Sequence, residues 1–322
     1  MNIPTVTGDI SPNDLGITLA HEHVTLELTS RFPEDHYLHP YTLPGPDAMI
    51  PEVQEFVKAG GSTLVSLTNE SMGRDIAALK QVAEGAGVNI VAATGYYVRE
   101  SAPAIEDAKA LGDHFIKELT VGIDDTGVRA GVIGELGTGA SMPGDFEFRL
   151  FEAAARASLE TGAPIAGHTH GGQLARWQVQ YLTRLGVPAD RIAICHLDET
   201  LAVRDNRPTD LELAIEIADS GSYVSVDSIG MSYYGEWLSR PEPSDHDRAW
   251  LLAKLVERGY ADHVLLGHDI ACDKDLLQNG GPGYGHILNN FLGKLQQFGV
   301  DRQTAHRFLV DNPRRWLAGR PI

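Results

Sequence analysis

Short apolar runs rich in β-branched residues recur along the chain. Each is bounded by turn residues and followed by a stretch of helical spacing, the form that repeated βα units take in a sequence. The runs predict strands at ITLAHEHV (17–24), STLVSL (62–67), NIVAAT (89–94), VRAGVIGELG (128–137), PIAGHTH (164–170), RIAICHLD (191–198), SYVSVD (222–227) and HVLLGHD (263–269). Helices are predicted at Pro51–Ala59, Arg74–Ala86, Ala104–Leu119, Phe146–Thr161, Gln173–Leu185, Asp210–Ser220, Asp245–Arg258 and Ile287–Phe298. Eight strands alternating with helices make a (β/α)8 TIM barrel of the α/β class the expected fold. Turns such as AGGS, TGAP and SGS, placed between a helix and the next strand, suit helix C-caps leading into short loops. No long linker and no low-complexity tract divides the sequence, so a single domain over 1–322 is expected, with TVTGDI as a small N-terminal strand or hairpin closing the barrel bottom.

Composition narrows the partners. The 322 residues are 43% hydrophobic and 22% charged, with a mean hydropathy of -0.16, near the averages for a globular chain with a sizeable core. A net charge of -18 repels nucleic acid and anionic membranes and points to a small-molecule substrate. Two cysteines, Cys195 and Cys272, make no disulfide framework and no zinc knuckle. The first residues lack the basic and apolar regions of a signal peptide, and no run reaches 18 uninterrupted apolar residues, so a cytoplasmic location is expected.

His, Glu and Asp collect at the C-terminal ends of the predicted strands, where barrel enzymes place their sites. His21 and His23 are two apart on a strand and project to one face, with Glu22 on the other. The fourth strand adds Glu135, the fifth His168, the sixth His196 and the eighth Asp269. A lone histidine in a strand is usually a packed residue. Six suitable residues at successive strand tops instead form a mixed imidazole and carboxylate set fitted to metal ions. His170 and Asp198 each lie two residues beyond a ligand and either line the pocket or support the ligands from behind. His268 faces away from Asp269 as a packed imidazole, Glu22 is structural, and Cys195 packs the barrel wall. Cys272, on the loop after the last strand, either packs or touches substrate.

The segments GITLAHEH (Gly16–His23), AGVIGELGTG around Glu135, PIAGHTH around His168, RIAICHLDET around His196, SVDSIG around Asp227 and LLGHD at Asp269 follow an order and spacing that resembles the phosphotriesterase-like family of the amidohydrolase superfamily. The resemblance covers essentially the whole chain. It implies a hydrolase with two divalent ions, zinc first and manganese, cobalt or iron as alternatives. His21, His23 and Asp269 would hold the more buried ion, His168 and His196 the more exposed one, with the strand-four residue bridging. Many members bridge with a carboxylated lysine, but no lysine lies between Lys117 and Lys254, so Glu135 takes that place. Ions about 3.5–4 Å apart generate hydroxide from a shared water, with Asp269 as the catalytic residue that orients it and carries its proton.

Phosphotriester-hydrolysing relatives carry a histidine after the strand-seven aspartate, and lactonase-type ones an arginine; here Asp227 is followed by Ser228. Tyr97 resembles the pocket tyrosine of lactonase members, and equally suits closure of the barrel mouth. Tyr97, His170, Asp198, Ser228 and Cys272 are the candidate substrate contacts. Tyr233, Tyr234, Trp237 and Leu276 suit an apolar acyl channel and equally a homodimer interface, and the Gly-rich run Asn279–Gly285 suits a mobile lid. A homodimer is expected. The leading expectation is a lactonase acting on N-acyl homoserine lactones or related esters. The alternative is an amidase acting on a small N-acyl amino acid or amine, with phosphotriester hydrolysis as a side activity. A binding protein with a vestigial site is the reading from outside enzymology, and the complete ligand set speaks against it.

Overall fold

In the computed structural model, which describes residues 2–32, 40–139, 142–202, 209–231, 234–235, 240–241 and 243–319, the apolar runs do become strands. Strands β1 (Ile3–Thr5) and β2 (Gly8–Ile10) form the N-terminal hairpin, and β10 (Tyr234–Gly235) pairs with β11 (Arg240–Pro241) in a second small hairpin. The barrel is made of β3 (Thr18–Glu22), β4 (Thr63–Ser66), β5 (Asn89–Thr94), β6 (Val132–Leu136), β7 (Ile165–Gly167), β8 (Ile192–Ile194), β9 (Tyr223–Val226) and β12 (Val264–Leu266), parallel and neighbouring in that order. β12 lies back against β3, where the Asp269 N–H donates to the His21 carbonyl at 3.3 Å. This is the expected (β/α)8 TIM barrel.

The helices around it are α1 (Pro46–Lys58), α2 (Ile76–Ala86), α3 (Ala108–Thr120), α4 (Asp145–Thr161), α5 (Ala175–Arg184), α6 (Thr209–Asp219), α7 (Asp245–Glu257), α8 (Leu292–Gln297), α9 (Arg302–His306) and α10 (Asn312–Ala318). In α4, Phe146, Leu150, Phe151, Ala154 and Ala157 are buried at helical spacing, and the helix ends where Gly162 takes a left-handed φ of 77°. α1 starts a turn earlier than expected because Pro46 sits at its first turn, where a missing N–H costs nothing. α9 and α10 were not anticipated. Trp316 and Leu317 of α10 join Ile3 and Leu15 beneath the inner core of Val65, Val91, Val132 and Leu265, so the bottom is closed by both chain ends. No helix among the described residues is long and apolar enough to cross a membrane.

Strand alternation decides which side chains enter the lumen, and it is broken where the chemistry sits. On β3, Leu19 packs outward and Ala20 inward. Continued alternation would send His21 and His23 to the helix side, but a register shift between Leu19 and Glu22 reverses the phase. A second shift on β6, between Ile133 and Leu136, turns Glu135 inward. His196 and Asp269 enter through left-handed backbone, with φ of 60° and 56°.

The seam between β12 and β3 leaves no room beside the ligands. A Cβ at Gly267 would fall 2.4 Å from the His21 carbonyl oxygen, which is backbone and cannot turn aside. Gly267→Ala is therefore expected to cost about 1–3 kcal/mol of stability, as overpacking does. Chemical denaturation of the metal-free chain checks this, and a loss below about 0.5 kcal/mol would show that the seam can widen.

Candidate metal centre

Five strands deliver six side chains to the barrel mouth: His21 from β3 and His23 just beyond it, Glu135 from β6, His168 beyond β7, His196 beyond β8 and Asp269 beyond β12. All are buried except Asp269, whose side chain is 21% exposed and reaches the cavity. His21, His23 and Asp269 bring one donor atom each within 4.8 Å of one another, and so do His21, Glu135 and His196.

Hydrogen bonding fixes where the ring lone pairs point. The Thr68 hydroxyl donates to the Thr25 carbonyl at 2.6 Å and lies 2.8 Å from His23 Nδ1. A hydroxyl has one proton, so His23 Nδ1 must be the donor in that contact. Its lone pair then falls on Nε2, which faces Asp269 Oδ1 at 2.9 Å. His21 Nδ1 likewise faces Asp227 Oδ2 at 2.8 Å. Its Nε2 is buried without a hydrogen-bond partner, 3.3 Å from Asp269 Oδ1 and 3.6 Å from Glu135 Oε2. A buried lone pair set against carboxylate oxygens is the arrangement a divalent cation satisfies. On the other side, Glu135 Oε1 contacts His168 Nδ1 and lies 2.8 Å from His196 Nε2. Glu135 thus directs one oxygen at each half of the cluster.

The charges are strongly linked. Burial works to lower the pKa of His21 and His196, but Cys195, Glu135, Asp269 and Asp227 around His21, and Asp227 and Glu135 around His196, carry both well above the usual imidazole range. Burial wins at His168, whose pKa is lowered. Burial also works to raise Glu135 and Asp269. His168 and His21 hold Glu135 well below the carboxylate range, and His21 leads the groups that bring Asp269 down to about 2.

A cavity of about 340 Å³ opens above the cluster, and Tyr97 and His170 line it. Tyr97 Oη is 3.1 Å and His170 Nε2 3.4 Å from His168 Nε2. The other three candidate contacts lie elsewhere. Asp198 is fully buried and paired with Arg248 Nε at 2.6 Å, because it accepts the backbone N–H groups of Asp227 and Ser228 and so braces the end of β9. Ser228 is buried, and Cys272 faces a separate groove with Pro40, Leu43 and Lys274. Leu276 is also fully buried, away from the cavity. Tyr233 and Trp237 lie outside the described residues, as does the side chain of Tyr234. The Gly-rich run is tied down instead of forming a loose lid. Glu52 accepts the N–H groups of Leu277 and Gln278 at 2.8 Å, Gly281 and Gly283 donate to the carbonyls of Leu276 and Asp275, and the buried Tyr284 hydroxyl donates to the His23 carbonyl.

Sequence reasoning missed the apolar wall, formed by Leu26, Leu28, Phe32 and Tyr41 from the β3 loop with Met72 and Val98. The available signal was VTLEL, in which Val24, Leu26 and Leu28 continue an alternating pattern beyond the last histidine.

Raised imidazole pKa values have a consequence for metal uptake. A cation held by His21 and His196 would compete with protons on their rings, so its binding would release protons, and affinity is expected to fall as pH drops below the raised values. Calorimetric zinc titrations in buffers of different ionisation enthalpy measure the released protons, with at least one expected per chain near neutrality. Zero release, with affinity flat against pH, would reject this protonation state.

The phosphotriesterase family model matches residues 1–317. An N-acetyltaurine hydrolase of Salmo salar is 34% identical, covering 98% of this chain and 97% of that protein. The N-acetyltaurine hydrolase of Mus musculus is 31% identical over the same shares. Among solved structures, a resiniferatoxin-binding protein from Rhodobacter sphaeroides superimposes with a TM-score of 0.91 at 29% identity, covering 98% of this chain and 94% of that one. A lactonase from Listeria monocytogenes gives a TM-score of 0.86 at 25% identity over the full length of both. With the family model matched almost end to end, the chain belongs to the phosphotriesterase family and is a hydrolase.

Proposed function

We propose that the protein hydrolyses the amide bond of a small N-acylated amine whose acyl group is apolar. One observation carries this: a carboxylate and imidazole cluster fitted to metal ions faces a wall of Leu26, Leu28, Phe32, Met72 and Val98 across the same cavity. The whole-length likeness to hydrolases named for an N-acyl amine supports an amide as the bond. Among the described lining residues none is Lys or Arg, so the reading is made for the acyl side and not for an anionic amine.

In this reading His21, His23 and Asp269 would hold one divalent ion and His168 and His196 the other, with Glu135 serving both. Zinc is the first candidate; manganese, cobalt and iron suit the same donors. Such a pair, when bound, supplies a water of lowered pKa and polarises a substrate carbonyl. The protein's own part is orientation and proton transfer. Asp227 holds His21 through Nδ1 and accepts the His196 N–H at 2.8 Å, fixing two ligands at once. Asp269, ionised and the most exposed carboxylate of the cluster, takes the water's proton and passes it to the departing nitrogen. An amide needs that delivery, because an unprotonated amine nitrogen leaves poorly.

A second reading, lactone hydrolysis, is favoured by Tyr97, whose hydroxyl lines the cavity 3.1 Å from His168 Nε2 and can donate to a substrate oxygen. The likeness to structures described as lactonases supports it as well.

A panel of N-acyl amines of two to eight carbons, the matching lactones and one activated phosphotriester, assayed on zinc-loaded protein, separates the readings. For amides kcat/KM is expected to rise about fourfold per methylene, the worth of about 0.8 kcal/mol each, until the wall is filled. Lactone rates more than tenfold above the amides would overturn the amide reading, and a best rate with acetyl would overturn the role of the wall.

Asp269→Asn is expected to lower kcat by about 10²–10⁴ or more on every substrate, because proton transfer is common to all. Tyr97→Phe, with metal content unchanged, is expected to cost a lactone about 0.5–1.5 kcal/mol and an activated aryl ester almost nothing. Equal losses on both substrates would show that the phenol acts on the cluster and not on substrate.

A further inference from the structure

The seam between β12 and β3 differs from the other strand junctions. Seven ladders of parallel pairing join β3 through β9 to β12, and none joins β12 to β3 among the described residues. Yet this seam carries His21, His23 and Asp269.

Besides the single bond from the Asp269 N–H to the His21 carbonyl, what spans it at the level of these three is Glu22. Its side chain is fully buried on the outer face of β3, between the two histidines. Oε1 accepts the His268 backbone N–H at 2.8 Å and His268 Nδ1 at 2.7 Å, and Oε2 accepts the Ile270 N–H at 3.5 Å. The carboxylate therefore grips the residues on both sides of Asp269, whose backbone is held in the left-handed region. His268 Nε2 accepts the Ile287 N–H at 3.1 Å, so that nitrogen carries no proton and Nδ1 is the donor toward Glu22.

We propose that Glu22, assisted by His268, is a positioning residue: it locks Asp269 into register with His21 and His23 and so sets the affinity of the ion these three hold, without touching the other. The inference rests on reading the cluster as a metal centre. It gives a function to two residues that the sequence presents as ordinary packing. In Glu22→Gln one acceptor oxygen becomes an amide NH₂, which meets backbone N–H groups donor to donor and releases one side of the Asp269 turn.

The test is stepwise zinc binding to the full chain, stripped of metal and titrated against a chromophoric chelator, with folding checked by circular dichroism. For Glu22→Gln one ion is expected to weaken about ten- to a hundredfold, as loss of a supporting partner behind a ligand does, while the other stays within about threefold of wild type. In a His168→Ala background, which disables the second position, the remaining ion is expected to be the one that Glu22→Gln weakens. His268→Gln, which leaves the carboxylate on both backbone N–H groups, is expected to give a smaller loss at the same ion, and it serves if Glu22→Gln does not fold. Two ions bound by folded variants with wild-type affinities would overturn this proposal alone. Equal weakening of both ions would also overturn it, since that is what a general loosening of the barrel produces. A wild-type chain that takes up no ion would reject the metal-centre reading and this inference with it.

Discussion

Three carboxylates, Glu135, Asp227 and Asp269, converge on four imidazoles inside the mouth of a barrel that is otherwise filled with valine, alanine and leucine. Charge of one sign cannot be left unmatched in such surroundings, and the carboxylates accordingly carry His21 and His196 above the usual imidazole range against the effect of burial. Everything around the cluster serves to present donors at close range without letting the site collapse into neutral pairs. Thr68 commits its only proton to a carbonyl, which orients His23, while Asp198 and Arg248 brace the strand end carrying Asp227.

Legibility from sequence divides along the same line. Apolar runs separated by turns gave away all eight barrel strands, because each strand is buried on both faces and must be continuous in hydrophobicity. The six residues of the cluster were visible because ionisable side chains are out of place in a barrel core. The phase that brings them inward was not visible. Periodicity of two says that His21 and His23 share a face, but a register shift decides which face, and nothing in the composition of β3 announces it. Glu135 depends on a similar shift, and His196 on a left-handed residue.

Errors cluster where long-range pairing outweighs local pattern. Asp198, two residues beyond a histidine, suited either the pocket or support of the ligands from behind, and Arg248, fifty residues later in the chain, claims its carboxylate for the supporting place. The glycines of Asn279–Gly285 suggested freedom, whereas Glu52 and the backbone of Asp275 hold that loop, and a Cβ at Gly281 would fall 2.2 Å from the Asp275 carbonyl carbon. Its glycines answer a need for close approach. The apolar wall came from the β3 loop, which looked like a mere connection.

The bond from Tyr284 to the His23 carbonyl bears on how a family with this scaffold can diversify. Loops at a barrel mouth are usually the freely exchangeable part of the enzyme, the catalytic residues staying on the strands. Here the last loop reaches down and fastens to the main chain of a strand-top histidine, so transplanting it from a relative would disturb the centre that the transplant was meant to redirect. Beyond Thr25, whose carbonyl holds Thr68, the described part of the β3 loop meets the cavity through side chains such as Leu28 and Phe32, and these positions are the freer ground for acquiring new preferences. Selection for a new substrate preference in the laboratory is best aimed there, with Asp275, Gly281 and Tyr284 left as they are.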